Sequence, residues 1–166
     1  METYRDIKTP IGKMRITANE NSLTAITLIN TKEGDPISES SSSAILDEAE
    51  KQLQEYFAGT RKQFDLPLDW GDMPEFRKHT LQTAAQIPWG MVITYGDLAK
   101  LSGNDLAARA CGSAMANNPF MIVVPCHRVI GSDNALHGFS AEGGLNVKQQ
   151  LLEMEGVEFK NGKVVR

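Results

Sequence analysis

A cysteine followed directly by a histidine, in Pro125-Cys126-His127-Arg128, is the part of this 166-residue chain best suited to chemistry. A thiol with an ordinary pKa of about 8.5 is only slightly ionised at neutral pH, so a nucleophilic cysteine needs a base or a positive neighbour. His127 can serve as that base, directly or through a water, and a carboxylate on its far ring nitrogen would fix the tautomer and stabilise the imidazolium. Neighbours on an extended chain point to opposite sides, so adjacency in sequence does not by itself bring the two together. On the pair alone, a packing thiol beside a satisfied loop histidine is as good a reading as a nucleophile with its base. The two cysteines, Cys111 and Cys126, and the three histidines, His79, His127 and His137, match neither a disulfide framework nor a zinc-ligand spacing, so neither metal nor cofactor is expected. Cys111 reads as helix packing, His79 and His137 as surface or loop residues, and Trp89 as core.

The elements that must position the pair are legible from periodicity. Short strands are predicted at Tyr4 to Lys8, Met14 to Ala18 and Leu23 to Ile29, with a turn at Pro10-Ile11-Gly12, which together make an antiparallel meander. After a Ser-rich connection, Ser38 to Ser43, a helix capped by Ser43 runs through Phe57, with Leu46, Ala49, Leu53 and Phe57 on one face and Gly59 as its stop. Asp47 and Glu48 in its first turn suit the positive end of the helix dipole and need no further role. The pattern changes near Asp69-Trp70-Gly71-Asp72, and a domain boundary is placed around Met73. Pro74 then opens a helix with Phe76, Thr80, Leu81 and Ala84 on a face, ended by Pro88-Trp89-Gly90. A strand at Val92 to Thr94, a helix from Tyr95 to Leu101, a turn at Gly103 and a helix from Asp105 to Asn117 follow, and the two helices fit a helix-turn-helix. An apolar strand at Met121 to Val124 delivers the thiol. A Gly131-to-Gly138 loop, a helix from about Leu145 to Glu155 closed by Gly156, and an Asn161-Gly162 turn complete the chain.

Several ordered motifs in the second half carry a specific resemblance. Ile87-Pro88-Trp89-Gly90, Thr94-Tyr95-Gly96-Asp97-Leu98-Ala99, Ala108-Arg109-Ala110 leading into Gly112-Ser113-Ala114-Met115, Asn118-Pro119, Pro125-Cys126-His127-Arg128-Val129-Ile130, and Gly143-Gly144-Leu145 with Lys148-Gln149-Gln150-Leu151-Leu152 resemble the O6-alkylguanine-DNA alkyltransferases. The first half is similar only loosely, mainly in Thr9-Pro10-Ile11-Gly12. The resemblance implies an α+β chain: a small N-terminal antiparallel-sheet α/β domain of the ribonuclease H-like kind over 1–73, and a winged-helix-like helix-turn-helix domain over 74–166. It further implies direct DNA repair, in which an alkylated base is flipped out of double-stranded DNA and the alkyl group of O6-alkylguanine, with O4-alkylthymine a further substrate, moves irreversibly to Cys126. On that resemblance His127 is the water-mediated base, Glu155 orients it and Asn118 braces the turn; Tyr95, Val129 and Met115 hold the base. Arg109 takes the place of the extruded nucleotide, and Ala110, Gly112, Ser113 and Ala114, with Tyr95, allow close approach to the minor groove. Taken alone, the same small residues read as tight helix packing. Where many members carry a tyrosine followed by small residues, this chain reads Gly138-Phe139-Ser140-Ala141-Glu142-Gly143-Gly144, with Glu142 either solvated or narrowing the pocket.

Composition bounds these readings. With 41% apolar and 23% charged residues, 14 Gly and 7 Pro, the chain is of ordinary globular make-up, which excludes disordered and collagen-like classes. Its longest apolar run, Phe120 to Val124, is too short for a membrane span, and the charged start METYRDIK suits no secretory signal, so a cytoplasmic monomer is expected. The net charge of −4 is local: residues 1 to 80 hold 10 basic and 14 acidic side chains, whereas residues 81 to 166 hold 7 of each. Glu33, Asp35, Glu39, Asp47, Glu48 and Glu50 follow one another with no basic residue between them, and that segment should turn away from a polyanion. Any DNA contact must therefore be built from few charges. Three rival functions remain: a lesion sensor that flips the base without transfer, a Cys-His hydrolase using Cys126, His127 and Glu155, and a helix-turn-helix regulator. Turnover separates the hydrolase from a protein consumed in its reaction, the presence of Cys126 argues against the sensor, and specific binding to undamaged DNA would mark the regulator.

Overall fold

The computed structural model describes residues 2–29, 43–136 and 144–166. Of the features read from the sequence, Glu33, Asp35 and Glu39, most of the Ser-rich connection, His137 and Gly138 to Gly143 lie outside these residues. The chain divides into two compact units, Met1–Gly71 with Pro119–Met121, and Asp72–Asn118 with Ile122–Arg166. The first half therefore recovers a short segment from the second, because Ile26 donates its N–H to Pro119 O at 2.8 Å and accepts from Met121 N–H at 3.1 Å.

In the first unit, β1 (Thr3–Thr9), β2 (Gly12–Ala18) and β3 (Leu23–Leu28) form the expected antiparallel meander in the order β1-β2-β3. Met14, Ile16 and Ala18 alternate inward along β2 and are fully buried, together with Leu23 and Ile26 of β3. Helix α1 (Ala44–Phe57) packs on β1 and β2 through Leu46, Ala49, Gln52, Leu53 and Tyr56. Each fully buried Leu or Ile there contributes roughly 1.5–3 kcal/mol. Ser43 caps α1 by accepting the Leu46 N–H at 3.1 Å, worth about 1 kcal/mol. Tyr56, not Phe57, occupies the buried end of the helix face; Phe57 is half-buried with its ring edge-on to Tyr56 at 5.2 Å. Arg5 pairs with Asp47 at 2.7 Å and Glu50 at 3.1 Å, so the acidic helix start has a local structural partner.

The second unit contains α2 (Glu75–Ala84), β4 (Ile93–Thr94), α3 (Tyr95–Leu101), α4 (Ala108–Ala116), a single 3-10 turn (Cys126–Arg128), β5 (Val129–Ile130), α5 (Gly144–Met154) and a hairpin of β6 (Phe159–Lys160) and β7 (Lys163–Val164). Helices α2, α3 and α4 pack on one another, α3 and α4 being the two members of the helix-turn-helix. Phe76 departs from the expected buried face of α2 and is exposed, leaving Thr80, Leu81 and Ala84 inside. Helix α4 starts three residues later than expected, since the Asn104 side chain accepts the Leu106 N–H at 3.1 Å and its carbonyl accepts the Ala107 N–H at 3.1 Å, closing a turn first. The apolar run Met121 to Val124 is not a strand: Ile122 has φ of 75°, which breaks extended pairing after Met121. A second small core of Ile130, Leu136, Leu152 and Val164, flanked by Val92, Val157 and Phe159, ties β5, α5 and the terminal hairpin together. No helix among the described residues is long and apolar enough to cross a membrane.

Candidate active site

Two strands of two residues each do most of the positioning. β4 and β5 pair in parallel, Ile93 opposite Val129 and Thr94 opposite Ile130, which joins the start of α3 to the end of the Cys126–Arg128 turn. Thr94 caps α3 reciprocally with Asp97: the Thr94 hydroxyl accepts from Asp97 N at 3.0 Å and the Asp97 carboxylate accepts from Thr94 N at 3.1 Å. Tyr95 is thereby held as the first residue of the helix. A Cβ added at Gly112 of α4 would lie 4.0 Å from the Tyr95 ring, so α4 backs closely onto this tyrosine.

Cys126 does not leave a strand end; it begins a tight turn in which its own N–H reaches Val124 O at 2.8 Å and the Arg128 N–H reaches Pro125 O at 2.9 Å. The thiol, His127 and Arg128 are all buried in consequence. Asn118 donates its side-chain amide to Val124 O at 2.8 Å and also hydrogen-bonds the Cys126 sulfur, so it holds both the backbone before the thiol and the thiol itself. Glu155 lies one residue beyond α5. There its backbone N–H still bonds back to Leu151 O and Leu152 O, and its carboxylate reaches His127 Nε2 at 2.7 Å. An ionised carboxylate can only accept, so Nε2 carries the hydrogen and Nδ1 presents a lone pair. That Nδ1 is buried and has no hydrogen-bond partner among the described residues.

Two cations complete the cluster, and sequence reasoning gave neither a role. Arg128 donates Nε–H to one Glu155 oxygen at 2.7 Å, an amino group to the other at 3.0 Å, and its second amino group to Ile87 O at 2.6 Å. Lys148 is almost wholly buried; its ammonium donates to Val129 O at 2.6 Å, approaches the Tyr95 hydroxyl at 3.4 Å and sits 5.7 Å from the centre of the Tyr95 ring. A signal for Lys148 was present, since it shares the buried stripe of α5 with Val147, Leu151 and Leu152. A charged residue at a core position of a helix is itself informative. Arg128 gave no such warning, because its partner lies 27 residues away in sequence.

The charges set the protonation of the site. Burial pushes the Cys126 thiol up, against the Asn118 hydrogen bond and the positive charge of Lys148. Burial pushes His127 down, with Glu155 opposing and Arg128 and Lys148 reinforcing, so the imidazole rests neutral. Burial would raise Glu155, but its bonds to His127 and Arg128 outweigh this and bring it to about 2. Burial lowers Lys148 to about 8, with the cysteine charge opposing, and raises Tyr95 to about 12, with the cysteine charge adding. The resting site is thus a neutral thiol beside a neutral base, among two cations and one carboxylate. Tyr95 stays protonated at neutral pH and acts only as a hydrogen-bond partner.

Of the residues expected to act together, Cys126, His127, Glu155 and Asn118 meet in one cluster, and Lys148 links Tyr95 to Val129 beside it. On α4, Arg109, Ala110 and Ser113 are exposed, Gly112 is half-buried, and Ala114 and Met115 are turned inward at 2% and 3% exposure. Cys111 is buried within the packed helices, His79 is exposed and Trp89 is half-buried. No group of His, Cys, Asp and Glu among the described residues is arranged to hold a metal ion.

Comparison with known proteins accounts for both units. Residues 3–70 match the family model described as 6-O-methylguanine DNA methyltransferase, ribonuclease-like domain, and residues 75–157 match the one described as 6-O-methylguanine DNA methyltransferase, DNA binding domain. A constitutive methylated-DNA--protein-cysteine methyltransferase of Bacillus subtilis is 38% identical over 165 residues, spanning 96% of this chain and 99% of its own. One from Methanosarcina acetivorans is 37% identical over 155 residues, 92% of this chain and 97% of its own. Among solved structures, the Mycobacterium tuberculosis O6-methylguanine methyltransferase superposes with a TM-score of 0.79 at 35% identity, covering 93% of each chain. The OGT of the same organism in complex with DNA gives 0.77 at 36% identity, covering 92% of this chain and 91% of that one.

Proposed function

The chain belongs to the 6-O-methylguanine DNA methyltransferase family, and from that premise we propose that it repairs double-stranded DNA by moving the alkyl group of O6-alkylguanine onto Cys126, one group per protein molecule. The observation that carries this reading is the buried Cys126-His127-Glu155 cluster, with Nε2 of the histidine held by the carboxylate and the Nδ1 lone pair without a partner among the described residues. A thiol raised by burial needs a base at the moment of attack, and Nδ1 of the adjoining residue is the base at hand, reached directly or across a water.

The step balances without a cofactor. The thiol proton passes to His127, the sulfur lone pair forms a bond to the alkyl carbon, and the carbon–O6 bond breaks with its electron pair left on the guanine. Tyr95, protonated up to about 12, donates a hydrogen bond to the base as that charge appears, and the Lys148 cation lies beside the same hydroxyl. Guanine is restored once it takes up a proton. The thioether left on Cys126 has no leaving group better than a carbanion, so the protein is consumed.

The DNA side of the proposal uses α4, whose exposed Arg109, Ala110 and Ser113 offer one cation among small side chains. Small residues let the backbone approach the minor groove, and Arg109 fills the space of the extruded nucleotide, which offsets part of a flipping cost of a few kcal/mol. Gly112 leaves room for α4 to back onto the Tyr95 ring, 4.0 Å from where a Cβ would stand, so the DNA-facing helix lies against the tyrosine that holds the base. Ala114 and Met115 support it from within; their side chains face the core.

The test is a titration of duplex DNA carrying O6-methylguanine with the full chain, scoring restored guanine. Repair that stops at one lesion per protein molecule supports the reading. Continued turnover would indicate a hydrolase, and tight binding without repair a lesion sensor.

A further inference from the structure

Arg128 makes three hydrogen bonds from inside the protein, two to Glu155 and one to Ile87 O. The guanidinium fork lies side-on to the carboxylate, the geometry that fixes both its position and its plane. Its anchor on Ile87 O, at the end of the segment that follows α2, keeps the fork from following Glu155 if the carboxylate shifts. The same carboxylate oxygen that takes the second guanidinium bond also binds His127 Nε2, so the histidine pairs with an anion whose charge is already matched. The side chains of His127 and Glu155 are wholly inaccessible to solvent and that of Arg128 nearly so. Among the described residues, the charged groups that act on the His127 ring are Glu155 and Lys148 from the α5 side and Arg128 from its own turn, in which the His127 backbone also bonds to the adjoining Cys126 thiol.

An unmatched carboxylate beside a buried imidazole would favour the imidazolium, in which a second proton sits on Nδ1 and takes up its lone pair. A carboxylate matched by a cation still orients the ring but no longer captures the proton. We propose that Arg128 is a positioning residue of the transfer step: its fork on Glu155 holds His127 in the Nε2–H tautomer, and its charge keeps that histidine unprotonated on Nδ1, available as a base. The proposal rests on the alkyl-transfer reading for its kinetic consequence, while its effect on His127 is measurable without DNA.

The experiment uses the full chain, with 15N NMR of the His127 imidazole followed against pH, and single-turnover transfer from O6-methylguanine duplex over the same range. In the unmodified protein the ring should read as neutral, with hydrogen on Nε2, from neutral into mildly acid pH. In Arg128→Gln the His127–Glu155 pair should take up its proton about one pH unit or more higher, and the acid limb of the transfer rate should move with it. At mildly acid pH that is a loss of roughly tenfold in rate, recovered at higher pH where the pair is again deprotonated. Arg128→Lys restores the cation without the fork, so its acid limb should return toward that of the parent while the second ring tautomer appears in the spectrum.

A folded Arg128→Gln protein with an unmoved limb and an unchanged imidazole would overturn the proposal, as would an Arg128→Lys limb displaced as far as that of Arg128→Gln. If Arg128→Gln does not fold, Arg128→Lys decides: a single Nε2–H tautomer with an unchanged rate would overturn it. If the parent protein transfers no methyl group, the reading of function fails, and the spectra alone still report whether Arg128 governs His127.

Discussion

Replacing Lys148 by methionine should make this protein more stable at neutral pH and a poorer nucleophile. Lys148 is 1% exposed, and burial brings its pKa from 10.5 to about 8. The folded-state value lies below the unfolded one, so the unfolded chain holds more protons between these two pH values. Below about pH 8 both states are protonated and folding bears the full cost of the buried charge, about 3 kcal/mol for a shift of this size. Above 10.5 both are neutral and the cost is gone. Methionine fills similar space without the charge, but it leaves Val129 O without the donor it has at 2.6 Å, a loss of about 1–2 kcal/mol. Lys148→Met should therefore be more stable than the parent by about 1–2 kcal/mol at pH 7 and less stable by a similar amount above pH 10.5. Urea unfolding of both proteins at several pH values measures the difference directly, since titrations common to the two cancel. In the same variant Cys126 loses its positive neighbour and its thiol rises further, so alkylation by a simple electrophile at neutral pH should slow by roughly tenfold. A stability difference that stays flat with pH would refute the reasoning, because it would mean that the Lys148 charge carries no folding cost.

Glu155 is the opposite case: its folded-state value of about 2 lies below the ordinary 4.5, so its stabilisation is complete above pH 4.5 and is lost as pH falls toward 2. Acid unfolding of Glu155→Gln against the parent should show an advantage of the parent, about 3 kcal/mol at neutral pH, that shrinks through this window. Gly90 has φ of 78° and an added Cβ would stand 3.1 Å from Glu155 O, so Gly90→Ala should cost about 1–3 kcal/mol in chemical unfolding and slow transfer by displacing Glu155. Arg109 is exposed on α4, away from the buried cluster. Arg109→Ala should slow repair of duplex DNA by tenfold or more, at roughly the 1–2 kcal/mol expected of a lost wedge, while reaction with free O6-alkylguanine base changes little; equal losses in both assays would remove its assigned role.

Local signals carried well into the structure where a local interaction decides the outcome. The meander over β1 to β3 follows from alternation and the Ser43 cap from one hydroxyl, and α3 keeps its expected span, its start fixed by a Thr94–Asp97 capping box. The errors arise where a more distant or competing interaction wins. Asn104 closes a turn with its side chain and delays α4, and the positive φ of Ile122 ends extended pairing in a run whose composition alone suggests a strand. Phe120 belongs with the first unit because its backbone neighbours bond to Ile26, and its ring stands edge-on to Trp70 at 5.4 Å. Periodicity along one segment cannot report such pairings. The active cluster divides in the same way. Cys126 and His127 stand out as adjacent reactive residue types, and Glu155 entered through the resemblance of the motifs, whereas the grip of Arg128 on Glu155 depends on contacts between segments far apart in sequence.

The most direct test of the account is intact-protein mass spectrometry with peptide mapping, after mixing the full chain with duplex DNA that carries isotopically labelled O6-methylguanine. The account predicts one labelled methyl group per protein, found on Cys126 as a thioether, with unlabelled guanine left in the duplex. A protein that restores guanine while Cys126 stays unmodified, or one that binds the lesion and leaves the methyl group on the DNA, would contradict it.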